Sequence, residues 1–470
     1  MTGSAETPEP LPEGPREGAL GTSAHGLADQ PSAAPARTAT TWSNWAGNQS
    51  CRAEVLRPTS EPEMCRVVEA AASTRRTVRT VGAGHSFSDL ALSDAVLVDL
   101  SGYDRILAVD REAATVTVQA GARLHDLSEL LWTRGLAFTN LGDIDAQTVA
   151  GATQTATHGT GVRFGNISSA IVAMRVIDGT GALHELDASH GSEVFAAARA
   201  GLGALGLVST VTLRLSPSYH LHAVHEPRRV DEVLERFGEM VRGNDHFEFF
   251  WVPGTGWAIT KRYRRNHDAP SPRSARDRWV QDELLDNVAF GLANRVGRWR
   301  PLVGREIAKR IPSPGRVEFN DRSYRVFVSP RRVRFVEMEY AVPLEATVEA
   351  VQRVRVLVGS LEYPVSFPVE VRTSAADDIT LSTAAGRDTG WIAVHMYRGV
   401  PYEEYFHGVE AIMRDLGGRP HWGKLHWRRA ADLAPAYPGW DDFQEQRVRM
   451  DPLGVFQNAA LDRVLGPLGG

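Results

Sequence analysis

Two short glycine loops constrain the fold of this chain more than any other feature of its sequence. The first, Gly82-Ala83-Gly84-His85-Ser86, directly follows a β-prone run at residues 77–81. The second, Thr157-His158-Gly159-Thr160-Gly161, comes shortly after Gly151. Closely spaced glycines let consecutive backbone N–H groups converge on an anion. One such loop is usually only a tight turn, but two loops from well-separated segments predict a site that holds a long diphosphate-containing ligand from both sides.

A third glycine run matches a known fingerprint only on paper. Gly201-Leu202-Gly203-Ala204-Leu205-Gly206 has the G-x-G-x-x-G spacing of dinucleotide-binding Rossmann folds. That mechanism needs a strand before the loop and a helix after it, so that the pyrophosphate lies on the helix N-terminus. Here a helical stretch, residues 193–200, precedes the loop and a strand-like stretch, residues 208–215, follows it. We therefore predict that this is not a Rossmann fold.

The composition is that of a globular protein large enough for two or more domains. The chain has 470 residues, of which 43% are hydrophobic and 23% charged. No apolar run approaches the roughly 18 residues of a membrane span, and the N-terminus lacks the pattern of a signal peptide. The two cysteines, Cys51 and Cys65, agree with a reducing compartment or with indifference to redox state. These features predict a soluble, cytoplasmic protein.

Composition and periodicity divide the chain into four parts. Residues 1–41 hold 6 of the 26 prolines and show no apolar periodicity, which predicts a disordered tail. Residues 42–216 and residues 217–430 each alternate β-runs with amphipathic helical runs, so each predicts an α+β domain. Residues 431–470 contain a helix at Trp440–Met450 and are predicted to return to the first domain.

One segment departs from the neutral average. The net charge of the chain is -5, which gives no global reason to expect nucleic-acid binding. Residues 261–316, however, hold 14 Lys or Arg against 6 Asp or Glu, with Trp279, Phe290 and Trp299 interleaved. Two interpretations stay open for this segment: a solvated insertion, or a basic amphipathic surface that touches an anionic membrane.

Several motifs, spread in order along the chain, resemble one enzyme family. They are Asn44-Trp45-Ala46-Gly47-Asn48, the two glycine loops, Glu337-Met338-Glu339-Tyr340, and Pro420-His421-Trp422-Gly423-Lys424. Together they resemble the FAD-linked oxidases of the vanillyl-alcohol oxidase family, in the aldonolactone branch that contains L-gulono-1,4-lactone and D-arabinono-1,4-lactone oxidases. The resemblance extends from Trp42 to about Leu465. It implies a two-subdomain FAD-binding domain of the vanillyl-alcohol oxidase type, followed by an α+β substrate domain with an antiparallel sheet.

The resemblance also implies how the cofactor is held. In that family the histidine of the first glycine loop carries FAD through the flavin 8α-methyl group, which makes His85 the attachment site here. Because the chain has no cysteine besides Cys51 and Cys65, we predict a single covalent link. No metal is expected. The predicted cofactor-binding residues are Gly82, Ala83, Gly84, His85, Ser86, Gly142, Asp143, Gly151, Thr157, His158, Gly159, Gly161 and Val208.

Three charged residues are the candidate catalytic group. Glu370 and Arg372 are two positions apart in a predicted strand, so their side chains point to the same face. An arbitrary pair of this kind would be an exposed ion pair. By resemblance, Glu370 bonds substrate hydroxyls and Arg372 lies against the flavin and the oxygen that is oxidised. Lys424 would lie beside the flavin pyrimidine edge and stabilise the reduced anion.

The branch of the family sets the expected substrate. The strings Asp377-Asp378-Ile379-Thr380-Leu381-Ser382 and His395-Met396-Tyr397-Arg398 resemble lactone oxidases more than alditol oxidases. We therefore predict a sugar-1,4-lactone substrate, with an alditol such as xylitol or sorbitol as the alternative. The candidate substrate contacts are Asp143, His395, Tyr397 and His426. For Asp143 and His395, buried structural polar roles are an equal alternative.

The electron acceptor is a separate question. By family comparison, Gly142 occupies a position beside the flavin where a small residue admits oxygen and alanine excludes it. This predicts an oxidase that produces hydrogen peroxide, although the glycine also suits a turn. A dehydrogenase that uses a cytochrome or a dye is the alternative, and a flavin-binding protein without catalysis, acting at a membrane surface, is a competitor from another class. The sequence does not name the physiological lactone or the oligomeric state.

Overall fold

The computed structural model describes residues 39–278, 295, 315–329, 331–365 and 367–469. The predicted tail lies outside the described residues except for Ala39–Thr41, which begin a strand. Of the basic segment at 261–316, only 261–278, 295, 315 and 316 are described. Among the described residues no helix is both long enough and apolar enough to cross a lipid bilayer.

The strands are numbered in chain order. They are β1 Ala39–Ser43, β2 Ser50–Leu56, β3 Val78–Val81, β4 Val96–Asp99, β5 Ile106–Asp110, β6 Thr115–Gln119, β7 Leu136–Ala137, β8 Ile171–Ile177, β9 Leu183–Asp187, β10 Leu207–Arg214, β11 Ser216–Pro217, β12 His220–Arg229, β13 His246–Trp251, β14 Trp257–Asn266, β15 Val317–Arg322, β16 Phe335–Pro343, β17 Val369–Ser374, β18 Thr389–Tyr397 and β19 Arg419–Pro420.

The helices are numbered in the same way. They are α1 Glu61–Ser73, α2 Leu124–Thr133, α3 Val149–Gln154, α4 Ser192–Ala198, α5 Val230–Glu235, α6 Phe237–Arg242, α7 Ala275–Arg278, α8 Ser323–Phe327, α9 Thr347–Ser360, α10 Glu403–Asp415, α11 Ala430–Leu433, α12 Trp440–Met450 and α13 Ala459–Leu465. Short 3-10 turns occupy Leu100–Gly102, Ile167–Ala170, Leu344–Ala346 and Ala434–Ala436.

Two smaller sheets come from the first half of the chain. One has the strand order β1-β2-β4-β3, with parallel pairing of β4 to both β2 and β3. The other is antiparallel, in the order β5-β6-β10-β8-β9. Helix α4 precedes the third glycine run and β10 follows it. The rejection of a Rossmann fold is therefore confirmed, because the order of the elements is the reverse of that motif.

The second half of the chain builds an eight-stranded antiparallel sheet, as predicted. Its strand order is β15-β12-β14-β13-β17-β18-β16-β19. The ten-residue strands β12 and β14 were not predicted, because polar and charged residues interrupt their apolar pattern. Arg236, whose backbone leaves the helical region, separates α5 from α6.

Strict alternation along the central strands gives this sheet two different faces. Phe247, Phe249, Val369 and Val371 belong to an apolar core beneath the sheet, together with residues of α9 and α10. Because side chains on a strand alternate between the two faces, the residues between these point away from that core. The opposite face carries buried polar side chains from four neighbouring strands: Glu248, Glu337, Glu339, Glu370, Arg372 and His395.

The C-terminal residues pack against the first sheet. The Val78 amide donates to the Val455 carbonyl at 2.7 Å. Arg79 is buried, and its guanidinium donates to the carbonyls of Phe456 at 2.8 Å and Leu202 at 2.7 Å. One side chain thus joins β3, the third glycine run and the C-terminal segment.

Candidate active site

A cleft of about 990 Å³ lies between the first glycine loop, which follows β3, and the third glycine run, which precedes β10. The first glycine loop lines it, and Thr148 faces that loop: a Cβ on Gly82 would overlap the Thr148 hydroxyl. Gly84 has a φ of +71°, a conformation that favours glycine. Two backbone segments therefore approach closely enough to cradle a ligand between them.

His85 lies in this cleft as a neutral imidazole with an unused nitrogen. Its ring stacks on Trp45, with 5.5 Å between the ring centroids. Burial, with the nearby charge of Lys424 adding to it, lowers the pKa of His85 to about 4. The buried Nδ1 atom has no hydrogen-bond partner among the described residues. An orphaned ring nitrogen that faces a glycine-lined cleft fits a group that forms a bond with a bound cofactor.

The predicted cofactor residues do not all line the cleft. Those that do are Gly82, Ala83, Gly84, His85, Ser86, Gly151 and Val208. The third glycine run, which was rejected as a Rossmann fingerprint, contributes Leu202, Gly203 and Gly206 to the same cleft, and Gln147, Thr148 and Gln154 line it as well. These residues were not predicted from the sequence, because a glycine run that precedes a strand does not match the dinucleotide fingerprint.

The second glycine loop serves mainly to connect the cleft with the large sheet. Side chains at Gly159 and Gly161 would overlap the backbone oxygens of Leu141 and Asp245. The Gly161 amide donates to the Thr373 carbonyl on β17 at 2.8 Å. The hydroxyl of Thr157 accepts from Gln147 in the cleft wall at 3.2 Å. A Cβ on Gly142 would lie 3.1 Å from the His158 carbonyl oxygen.

The structure brings together a predicted pair and one predicted substrate contact. Glu370 and Arg372 form a buried ion pair through Oε1 and Nη2 on the polar face of β17. Arg372 Nη2 is also 3.4 Å from Asp143 Oδ1. Burial opposes the charge of Arg372, but Glu370, Asp143 and Glu248 outweigh it and hold the pKa of the guanidinium well above its ordinary value. Arg372 is thus a permanent cation inside the site.

Glu370 differs from the other carboxyl groups around it. Burial raises its pKa to about 7; Arg372 opposes this effect, and the negative charges of Asp143 and Glu248 add to it. For Asp143 the balance is the reverse, since Arg372 and Arg331 outweigh burial and lower its pKa. Two carboxyl groups whose environments push their pKa values apart are typical of an acid–base site.

Sequence analysis missed two neighbours of this group. Glu248 Oε2 accepts from Arg372 Nε at 3.0 Å. Arg331 donates to Asp143 Oδ2 through Nη2 at 2.7 Å and through Nε at 3.2 Å. The Asp143 carboxylate is therefore engaged by two guanidinium groups. A lone acid in the aromatic strand His246-Phe247-Glu248-Phe249-Phe250-Trp251 is the signal that marks Glu248 in the sequence.

Lys424 occupies a second charged cluster beside the first. Its Nζ lies 2.6 Å from Glu337 Oε2 and 5.2 Å from the centre of the Phe87 ring. Glu337 Oε1 is in turn 3.5 Å from His395 Nε2. Burial opposes the charge on Lys424, but Glu337 and Glu339 outweigh it and raise the pKa of the ammonium group. A fixed positive charge therefore lies close to the loop that carries His85.

One group of metal-ligating residue types also meets here. Ligand atoms of His158, Glu339 and His421 lie within 4.8 Å of one another. His158 Nδ1 contacts the Gly159 carbonyl at 2.8 Å and Nε2 contacts Glu339 Oε1 at 3.1 Å, so both nitrogens face acceptors. His421 Nδ1 accepts the Gly423 amide at 3.0 Å, which places its hydrogen on Nε2. This arrangement favours a buried ion pair over a metal site, since a metal needs an unprotonated nitrogen.

Aromatic rings complete the walls of the site. Trp45, Phe87, Phe335 and Phe367 cluster together, and the partly buried Tyr397 packs against them. The ring centroids of His395 and Phe335 are 5.1 Å apart, and His395 lies between this cluster and Glu337. The remaining predicted substrate contact is elsewhere: the charged groups that act on His426 are Arg463, Asp89 and Arg428. The structure therefore does not bring His426 to the Glu370–Arg372 pair.

Comparison with known proteins places this site in a family. A family described as D-arabinono-1,4-lactone oxidase matches residues 211–464, which include Glu370, Arg372 and Lys424. A second family, described as FAD binding domain, matches residues 53–187, which include His85 and both main glycine loops. The chain belongs to the D-arabinono-1,4-lactone oxidase family. The resemblance found in the sequence is thereby confirmed.

Members and structural relatives of this family agree with the fold. The L-gulono-1,4-lactone dehydrogenase of Mycobacterium tuberculosis is 46% identical over 430 residues, covering 91% of this chain and 99% of that protein. The L-gulonolactone oxidase of Bos taurus is 33% identical, with coverage of 90% and 97%. A solvent-stable cholesterol oxidase has a TM-score of 0.73 at 19% identity, covering 91% and 97% of the two chains. The predicted α+β architecture, an FAD-binding domain joined to an antiparallel substrate sheet, is confirmed.

Proposed function

We propose that this protein is an FAD-dependent oxidoreductase that oxidises a hydroxyl group of a sugar 1,4-lactone of the D-arabinono or L-gulono type. The observation that carries the proposal is the buried Glu370–Arg372 pair on the polar face of β17, within the region matched by the lactone oxidase family. Relatives named for lactones, at 46% and 33% identity over nine-tenths of the chain, support this substrate over a linear alditol.

The residues present suit an alcohol oxidation. When bound, FAD supplies the acceptor for the hydride that leaves the substrate carbon. Glu370 accepts the hydroxyl proton, since its pKa of about 7 allows both protonation states near neutral pH. Arg372 donates to the same oxygen and stabilises the negative charge that develops as the O–H bond breaks. In total the carbon loses one hydride and its hydroxyl oxygen loses one proton, so the C–OH group becomes a carbonyl.

Two kinds of electron acceptor are candidates for reoxidising the flavin. We propose oxygen as the acceptor, with hydrogen peroxide as the product, because the family that matches residues 211–464 and the Bos taurus relative are both named oxidases. The M. tuberculosis relative, in contrast, is named a dehydrogenase. A cytochrome or dye acceptor is therefore the second candidate.

We expect a panel of lactones and alditols, tested one at a time, to separate the two substrate classes. The holoprotein is mixed without oxygen with L-gulono-1,4-lactone, D-arabinono-1,4-lactone, xylitol or sorbitol, and the loss of flavin absorbance is followed. Lactones are expected to bleach the flavin. Arg372 and Glu370 can bind a hydroxyl group next to the lactone ring, whose oxygens accept hydrogen bonds. Admission of air, or of an artificial dye, then shows which acceptor restores the colour. Bleaching by the alditols alone would contradict the proposed substrate.

We further propose that His85 carries the flavin covalently. The neutral ring, the orphaned Nδ1 atom and the position in the cleft support this link. The His85→Ala variant is expected to lose all flavin fluorescence on a denaturing gel, whereas the wild type keeps it. The exposed His190, which pairs with Asp187 on the surface, provides the control substitution His190→Ala. Flavin that washes out of acid-precipitated wild-type protein would exclude the link.

A further inference from the structure

Glu248 is a buried carboxylate that contacts three polar or charged side chains. It lies on the polar face of β13, and its side chain is only 7% exposed. Arg372 Nε donates to it at 3.0 Å, Lys261 Nζ lies 3.3 Å away, and the Tyr263 hydroxyl donates at 3.4 Å. These partners come from β17 and from two positions of β14. Glu248 therefore connects the candidate catalytic strand to the strand two places away.

We propose that Glu248 is a positioning residue for the lactone oxidation, acting on the Arg372 guanidinium and on the charge of Glu370. This inference rests on the proposed function of the Glu370–Arg372 pair. Glu248 itself lies behind Arg372, on the Nε side of the guanidinium. Its proposed role is to hold Arg372, not to contact the substrate.

The first part of the argument is orientation. A guanidinium is planar, so fixing one N–H direction fixes the others. Glu248 holds Nε, while Nη2 contacts Glu370 and lies 3.4 Å from Asp143. Without Glu248, Arg372 would be free to turn about its side chain toward the two remaining carboxylates. A displacement of about 1 Å of such a group is enough to slow a reaction severalfold or more.

The second part of the argument is charge. Three carboxyl groups, Asp143, Glu248 and Glu370, surround the Arg372 guanidinium. Burial raises the pKa of Glu370 to about 7, and Glu248 is one of the negative charges that add to this effect. The ionisable groups that act on Glu370 or are acted on by it come from several elements: Asp143, Arg331, Glu248, Tyr263, Arg372 and His395. Removing the charge of Glu248 is expected to let Glu370 ionise at lower pH.

Two substitutions, one on β13 and one on β14, are expected to shift the pH midpoint in opposite directions and so test this proposal. The rate of flavin reduction by a lactone is measured against pH in the absence of oxygen. In the wild type the rate should rise through about pH 7, as Glu370 loses its proton. Glu248→Gln should move this midpoint down by about one unit and lower the plateau roughly 10-fold. Lys261→Met should move the midpoint up, because it leaves the negative charge of Glu248 less compensated.

A matched control and a second readout keep the test decisive. Glu226 on β12, which pairs with Arg228 on the same strand and with Arg262 on β14, gives the control Glu226→Gln, with an unchanged midpoint expected. The second readout is the thermal unfolding midpoint against pH, which needs no substrate. A carboxyl group with a raised pKa makes the folded state less stable as pH rises from about 4.5 to 7. This loss should shrink in Glu248→Gln and grow in Lys261→Met.

The outcomes separate the two proposals. If lactones reduce the wild-type flavin but neither variant shifts the pH midpoint in either readout, the role of Glu248 is excluded and the proposed function stands. If no lactone reduces the flavin, the proposed function fails, and the unfolding measurements alone decide whether Glu248 controls the ionisation of Glu370. If Glu248→Gln does not fold, the upward shift in Lys261→Met carries the test, and its absence overturns the proposal.

Discussion

Substitution of Arg372 by methionine is expected to slow flavin reduction by a lactone roughly 10²-fold or more. Arg372 is the cation between Glu370, Asp143 and Glu248, and it is the proposed donor to the oxygen on which charge develops. Methionine keeps much of the apolar stem but removes every N–H group. The rate is measured by rapid mixing without oxygen, and the flavin content by absorbance of the folded protein.

The stability of this variant needs its own control. Removing one partner of a buried ion pair costs roughly 3–5 kcal/mol, so Arg372→Met will also unfold at lower temperature. Arg372→Lys keeps the charge but loses the planar fork, and should give an intermediate rate with smaller destabilisation. Arg353→Met removes an arginine that pairs with Asp415 on the surface and should leave the rate unchanged. A folded, flavin-bound Arg372→Met with near-normal turnover would exclude Arg372 from the chemistry.

Lys424→Met is expected to have a similarly large effect, again roughly 10²-fold on flavin reduction. Its ammonium group is held by Glu337 at 2.6 Å and acts on His85, which places a positive charge beside the proposed flavin attachment site. Losing that charge should lower the reduction potential of the flavin, because the reduced anion loses its counter-charge. The potential is measured by equilibration with a reference dye, and the rate as above.

This prediction also has an internal control. The charge of Lys424 helps to lower the pKa of His85, but burial is the larger cause. His85 therefore stays neutral at pH 7 in Lys424→Met, and flavin should remain attached on a denaturing gel. Lys424→Arg should recover much of the rate and of the potential. An unchanged potential together with a normal rate in Lys424→Met would remove Lys424 from the candidate site.

Local patterns predicted the individual strands well where one face is apolar. The two-residue spacing of Glu370 and Arg372 placed both on the same face, and in the structure they are in contact. The helix at Trp440–Met450 begins and ends as predicted. Strands β12 and β14 were missed because both of their faces carry polar residues, so neither shows a clean two-residue period.

The partners of the candidate residues were not predictable in the same way. Glu248 and Arg372 are 124 positions apart, and Asp143 and Arg331 are 188 apart. Which of many acids meets a given arginine depends on the order and register of strands that are distant in the chain. Likewise, His426 is two residues from Lys424, but the structure places it beside Asp89 and Arg463. Nearness in sequence did not predict nearness in the site.

Short-range spacing in the sequence was enough to predict the glycine loops, a diphosphate-containing ligand and the faces of the central strands. Each of these follows from spacing over a few residues: closely spaced glycines expose backbone N–H groups, and a strand alternates its side chains. The sharing of Arg372 by three carboxylates, and the burial that raises the pKa of Glu370, depend instead on the tertiary structure. Burial and charge act through space, so the acid–base character of the site arises only when β13, β17 and the Asp143 loop come together.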